Sequence, residues 1–93
     1  MTVGVLTVSL EIPGSSTLKD KRQVLRSLLD TLRLKHNVSA AELDRLDSPR
    51  FTTIAVACVS NDRVFTNQAL DSVVNRIRSN PRVNILDYSI ELL

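Results

Sequence analysis

Residues 51–60 place Ile54, Val56 and Cys58 in one row and Ala55, Ala57 and Val59 in the row between them. A period of two with both rows apolar describes a strand at the centre of a sheet, because an edge or half-solvated strand would show polar residues in one row. Few folds accept such a segment. A chain of 93 residues that contains it must arrange its other elements around that strand.

The rest of the chain supplies those elements. Residues 3–12 read as a strand with Leu6, Val8, Leu10 and Ile12 on one face and Thr7, Ser9 and Glu11 on the other. Pro13-Gly14 stops it, since proline cannot extend the ladder and glycine permits a turn. From residue 18 to 34 the spacing becomes helical, with Leu18, Val24, Leu25, Leu28, Leu29 and Leu32 on one side. Ser15, Ser16 and Thr17 offer caps, and Thr17 with Asp20 is a capping box in which Asp replaces the usual Glu. Residues 36–47 read as a second strand whose alternation slips at Ala40-Ala41, the mark of a bulge or an irregular edge. Ser48-Pro49-Arg50 turns the chain into the central strand.

Ser60-Asn61-Asp62 caps a second helix with Leu70, Val73, Val74 and Ile77 on its apolar face, ended by Asn80-Pro81. Residues 83–92 form the last strand, with Leu86, Tyr88, Ile90 and Leu92 facing one way. The order is βαββαβ. Right-handed crossovers in both βαβ halves require the helices to share one sheet face. The expected fold is therefore α+β, a ferredoxin-like sandwich: a four-stranded antiparallel sheet in the order 4-1-3-2 with two helices on one face. Residues 1–93 form a single domain in this reading, with 43% hydrophobic residues to build its core. The opposite sheet face carries Val3, Val5, Ala55, Ala57 and Val59, and its smoothness suits pairing with a second copy.

A lone cysteine excludes an internal disulfide and fits a reducing compartment, so a cytoplasmic setting is expected. No targeting segment is legible at the N-terminus, and no stretch approaches the roughly 20 apolar residues of a membrane span. Twelve basic against ten acidic residues leave a net charge of +2, so the distribution of charge matters more than its sum. On the first helix, Lys19, Arg22, Arg26 and Arg33 recur at steps of three, four and seven, and Lys21 and Lys35 extend the cluster. One reading is a solvated outer face with Asp30 paired to Arg26; the other is a phosphate-contacting edge. Arg76, Arg78 and Arg82 surround the end of the second helix, where cations complement its dipole.

Glu42, Asp44 and Asp47 sit on or just after the second strand, and Glu42 and Asp44 share a face, which admits a divalent cation, but no histidine or further acidic residue completes a site. Charges that protect a sheet edge explain them better. His36 and Cys58 occur once each with no motif joining them as base and nucleophile, so both read as structural. Metal-carrying members of this fold use paired cysteines after the first strand, where this chain has Pro13-Gly14-Ser15-Ser16-Thr17. The glycine-rich loop of acylphosphatases, with its arginine and phenylalanine, has no counterpart either. Three aromatic residues are too few for the base-stacking sheet of an RNA-recognition motif. No enzyme, cofactor or metal is expected.

Several stretches together resemble the YlxP-like family, small bacterial proteins of unknown function. They are Val3-Gly4-Val5-Leu6, Thr17-Leu18-Lys19-Asp20-Lys21-Arg22, Val24-Leu25-Arg26-Ser27-Leu28, Asn37-Val38-Ser39, Ala41-Glu42-Leu43-Asp44, Val59-Ser60-Asn61-Asp62 and Leu86-Asp87-Tyr88. The resemblance runs from end to end and implies the same fold in a bacterial cytosol. Family members are often encoded beside translation-initiation and ribosome-maturation genes, which implies a ribosome or structured-RNA context. It brings no catalytic residues. One departure is Ser48-Pro49-Arg50-Phe51, where members often have a tryptophan and polar residues.

Three functions follow as expectations. The first is a non-enzymatic accessory protein of translation that touches RNA through Lys19, Lys21, Arg22, Arg26 and Arg33. The second is a homodimeric interaction module using Val3, Val5, Ala55, Ala57 and Val59. The third is a small-molecule sensor resembling ACT domains, whose Pro-Gly after the first strand is echoed by Pro13-Gly14.

Overall fold

The computed structural model describes residues 1–93. The elements run β1 (Thr2–Glu11), α1 (Leu18–Lys35), β2 (Ser39–Asp44), β3 (Phe51–Ser60), α2 (Arg63–Arg78) and β4 (Asn84–Leu92). All neighbouring strands are antiparallel in the order β2-β3-β1-β4, the expected order read from the other edge. This is the ferredoxin-like sandwich. β3 lies inside the sheet, as its two apolar rows require.

Alternation decides which row meets the helices. Leu6, Val8 and Leu10 of β1 and Ile54, Val56 and Cys58 of β3 are buried, in one cluster with Leu28 and Leu32 of α1 and Leu70, Val73 and Ile77 of α2. Both helices therefore cover the same face. Gly4 marks the closest approach: a Cβ there would stand 2.5 Å from Thr66 Cγ2 and 2.8 Å from Leu70 Cδ1 of α2. Only a residue without a side chain lets α2 settle against β1 at this point.

The caps form from the residues that mark them. Thr17 Oγ1 accepts from Asp20 N at 3.1 Å, and the Asp20 carboxylate reaches back to Ser16 N and Oγ at 3.5 Å. The Asp20 side chain thus closes the box on Ser16, one residue before the N-cap Thr17. Asp62 caps α2 by accepting from Val64 N at 2.9 Å. No helix is long and apolar enough to cross a membrane.

Both edge strands depart from simple alternation. β2 is shorter than residues 36–47, because His36 closes α1 by donating its N–H to Leu32 O, and Arg45 turns the chain away at φ 62°. Its bulge lies at Leu43 rather than Ala40-Ala41: Glu42 stands opposite Ile54, and Asp44 opposite Thr53. Ile54 and Thr53 point to opposite faces, so Glu42 and Asp44 do not share one. The paired site for a cation is not formed. In β4, Tyr88, Ile90 and Leu92 stand opposite Val8, Leu6 and Gly4, but a register shift puts Ile85, not Leu86, opposite Leu10. Leu86 is displaced to the surface at 55% exposure.

Candidate nucleic-acid interface

At about 100° per residue, Lys19, Arg22, Arg26 and Arg33 fall within an arc of about 60° on α1. All four are exposed, on the side away from the buried row of Val24, Leu25, Leu28 and Leu32. Lys21 falls in the middle of that buried row. It is 1% exposed, and its ammonium donates to Arg45 O at 2.6 Å and Ser48 O at 2.7 Å while pairing with Glu42 Oε2 at 2.9 Å. Thr52 Oγ1 donates to the same carboxylate at 2.7 Å. Lys21 is therefore not part of a contact surface, in correction of the reading from charge spacing. It clamps the β2–β3 loop to α1.

That loop is held from two further directions. Ser15 Oγ donates to Pro49 O at 2.6 Å, and Ile12 N donates to Arg50 O at 2.8 Å. The left-handed backbone of Arg45, uncommon outside glycine, persists because its carbonyl is fixed by Lys21 and its N–H by Asp44 Oδ1 at 2.8 Å. Signs of the clamp are present in the sequence. A lysine on an apolar helical row needs an acceptor, and Glu42 is one of the two carboxylates of the strand beside it.

The remaining cations of α1 differ in their freedom. Arg33 donates to Ala40 O at 2.6 Å and pairs with Asp30 at 3.3 Å, so Asp30 belongs to Arg33 and not to Arg26. Lys19, Arg22 and Arg26 make no ion pair within the chain, since the pairs are Lys21–Glu42, Arg33–Asp30 and Arg50–Glu11. At the end of α2, the Arg78 guanidinium lies 5.5 Å from the centre of the Tyr88 ring, a cation–π contact that occupies it.

Charge is sorted by layer. The helices carry Lys19, Lys21, Arg22, Arg26, Arg33, Lys35, Arg63, Arg76 and Arg78 against Asp20, Asp30 and Asp71. The strands carry Glu11, Glu42, Asp44, Asp87 and Glu91 and neither lysine nor arginine. A net charge of +2 thus conceals a basic helical layer over an acidic sheet. On the open sheet face the register sets Val3 opposite Val59, Val5 opposite Ala57 and Thr7 opposite Ala55. The five residues expected to form a smooth face do lie together. Phe51 is also on this face, opposite Glu11, with Arg45 5.5 Å from its ring centre. Phe65 is on α2 and Tyr88 points to the helical side, so the aromatics do not gather into a stacking platform.

The family described as "Protein of unknown function (DUF503)" has a model that matches residues 3–90. The chain belongs to this family. A relative in Bacillus subtilis (strain 168), "Uncharacterized protein YlxP", is 33% identical over 81 residues, which span 87% of this chain and 88% of the relative. The YlxP-like resemblance read from the sequence is therefore shown, and with it a DUF503 domain whose function has no assignment.

The His36 and Cys58 pair of this DUF503 chain remains apart from the basic face. Both border a cavity of about 410 Å³ between the end of α1 and the first half of α2, with Val38, Val59, Phe65 and Ala69 in its walls. Cys58 is a core residue at 5% exposure. His36 Nε2 is shielded from water and has no hydrogen-bond partner. Burial, and then the positive charge of Arg76, lower the His36 pKa from its ordinary 6.5, so the ring is neutral at pH 7.

Proposed function

We propose that this protein is a non-enzymatic accessory factor that binds structured RNA, in a translation context, through the outer face of α1. The observation that carries the reading is the unpaired state of Lys19, Arg22 and Arg26 on one arc of a helix, in a molecule whose strands carry no lysine or arginine. Asp30 shares this face but is paired with Arg33, and polyanion binding uses the remaining cations because each one that meets a phosphate releases a condensed counterion. Arg33 flanks the stripe and is already oriented by Ala40 O, which lowers the entropy lost when its free side meets a phosphate. The stripe recognises backbone charge and shape, as an A-form duplex presents them, with no aromatic platform for single bases.

Fluorescence anisotropy with an RNA hairpin, and sedimentation with ribosomal particles, test this across a salt series. Affinity should fall by roughly 0.9 log units per log unit of salt for each duplex phosphate neutralised. Arg22→Ala with Arg26→Ala should reduce that slope by nearly two units, on the order of 0.9 for each cation removed. Absence of binding at low salt refutes the proposal.

A further inference from the structure

The open sheet face has a charge pattern that the RNA reading leaves unused. Its middle, along β1 and β3, is apolar where Val3 faces Val59 and Val5 faces Ala57, and Ala55 continues it beside Thr7. Its two edges carry carboxylates, and its cations are confined to one end, where Arg45 lies over Phe51 and Arg50 pairs with Glu11. Asp44 stands on the β2 edge opposite Thr53, and Asp87 and Glu91 stand on the β4 edge opposite Ser9 and Val5. None of these three carboxylates has an ion-pair partner in the chain. An apolar strip flanked by unpaired carboxylates has the form of an interface core with a polar rim.

We infer that this face docks a cationic amphipathic helix of another protein, with the helix's apolar stripe along Val5, Ala55 and Ala57 and its Lys or Arg flanks on Asp44, Asp87 and Glu91. The dimensions match. β2 and β4 are three strand spacings apart, about 14 Å, and a helix with side chains is about 10–12 Å across. One helix therefore covers the face and brings its flanks to the carboxylates of both edges. Along the strands, the rows from Val3–Val59 to Ser9–Thr53 extend for about 20 Å, the length of about 13 helical residues.

Relief agrees with charge. The floor is made of small side chains, so the partner must supply bulk such as leucine or phenylalanine to bury apolar area. A second copy set face to face brings the same small side chains and the same acidic edges, and matches neither. RNA is repelled by the carboxylates. This docking is independent of the α1 stripe, which lies on the other layer, and together the two faces would join a polyanion to a basic protein segment.

A Leu–Lys peptide of about 14 residues patterned at helical spacing, and its Leu–Glu twin, serve as probes in NMR titrations of the isotope-labelled full chain. The Leu–Lys peptide should produce saturable shifts at the amides of Val5, Ala55, Ala57, Asp87 and Glu91, weakening with salt, while the twin produces none. Asp87→Lys with Glu91→Lys, both at exposed sites, should weaken binding by about tenfold or more. Arg22→Ala with Arg26→Ala should leave it unchanged. The inference is overturned if the Leu–Lys peptide gives no saturable shifts, if the shifts map elsewhere, or if the charge reversal has no effect. It is also overturned if light scattering shows a dimer and the same amides shift with the chain's own concentration, since a second copy then occupies the face.

Discussion

Replacing Lys21 by methionine keeps most of the side-chain volume and removes the ammonium. Three acceptors then lose their donor: Glu42 Oε2, Arg45 O and Ser48 O, all within 2.9 Å of the nitrogen. Breaking one half of a buried ion pair costs about 3–5 kcal/mol. Glu42 is 19% exposed and keeps the Thr52 hydroxyl, which relieves part of its charge, so the low end applies: about 3 kcal/mol for Lys21→Met. That is a large share of the roughly 5–15 kcal/mol by which a domain of this kind is stable. Urea unfolding followed by circular dichroism measures it as a lower midpoint with a similar slope.

The companion variant Lys21→Met with Glu42→Gln no longer holds an uncompensated charge. It should recover at least about 1 kcal/mol relative to the sum of the single changes. A Lys21→Met protein within about 0.5 kcal/mol of the parent refutes the clamp. So does a Lys21→Met protein that folds as the parent does but shows the smaller salt slope expected for Arg22→Ala, because the amine would then be contacting RNA.

Two further substitutions probe the packing and the titrating ring. Gly4→Ala puts a methyl group into Thr66 and Leu70 and should cost about 1–3 kcal/mol as overpacking, read as a lower melting temperature; an unchanged value would mean α2 does not press on β1 there. His36 has a lowered pKa when folded, so the unfolded chain binds its proton more readily. Its contribution is fully present above the unfolded value of about 6.5 and is lost as the pH falls through the folded value. Stability measured from about pH 7.5 down to 5.5 should therefore decline, and His36→Asn should flatten that decline; an equal slope in both proteins refutes the assignment.

Periodicity made most of the fold legible. Residues 51–60 coincide with β3, and the row of Leu6, Val8 and Leu10 is the row that meets the helices. The edges were less legible, because a bulge moves side chains between faces without changing the local residue types. Leu43 and Leu86 sit at such points, and each breaks an alternation that the residue types alone continue. Lys21 shows a different limit. Grouping charges by their nearness in sequence joins it to Lys19 and Arg22, whereas its angle around the helix separates it from both.

By itself the sequence determined the element order, the central strand, the helix caps and the basic arc of Lys19, Arg22, Arg26 and Arg33, because each depends on a local period or a neighbour within a few residues. Only the tertiary structure decided which cations are free. Lys21 is neutralised by Glu42 and Arg33 is tied to Ala40, contacts that join α1 to a strand separated from it by a loop. The acidic edges of the open face are likewise a product of register: Asp44, Asp87 and Glu91 come from opposite ends of the sheet and share a face only once β3 and β1 lie between them. Local periodicity acts within one element, while burial and charge pairing depend on the neighbours that packing brings near.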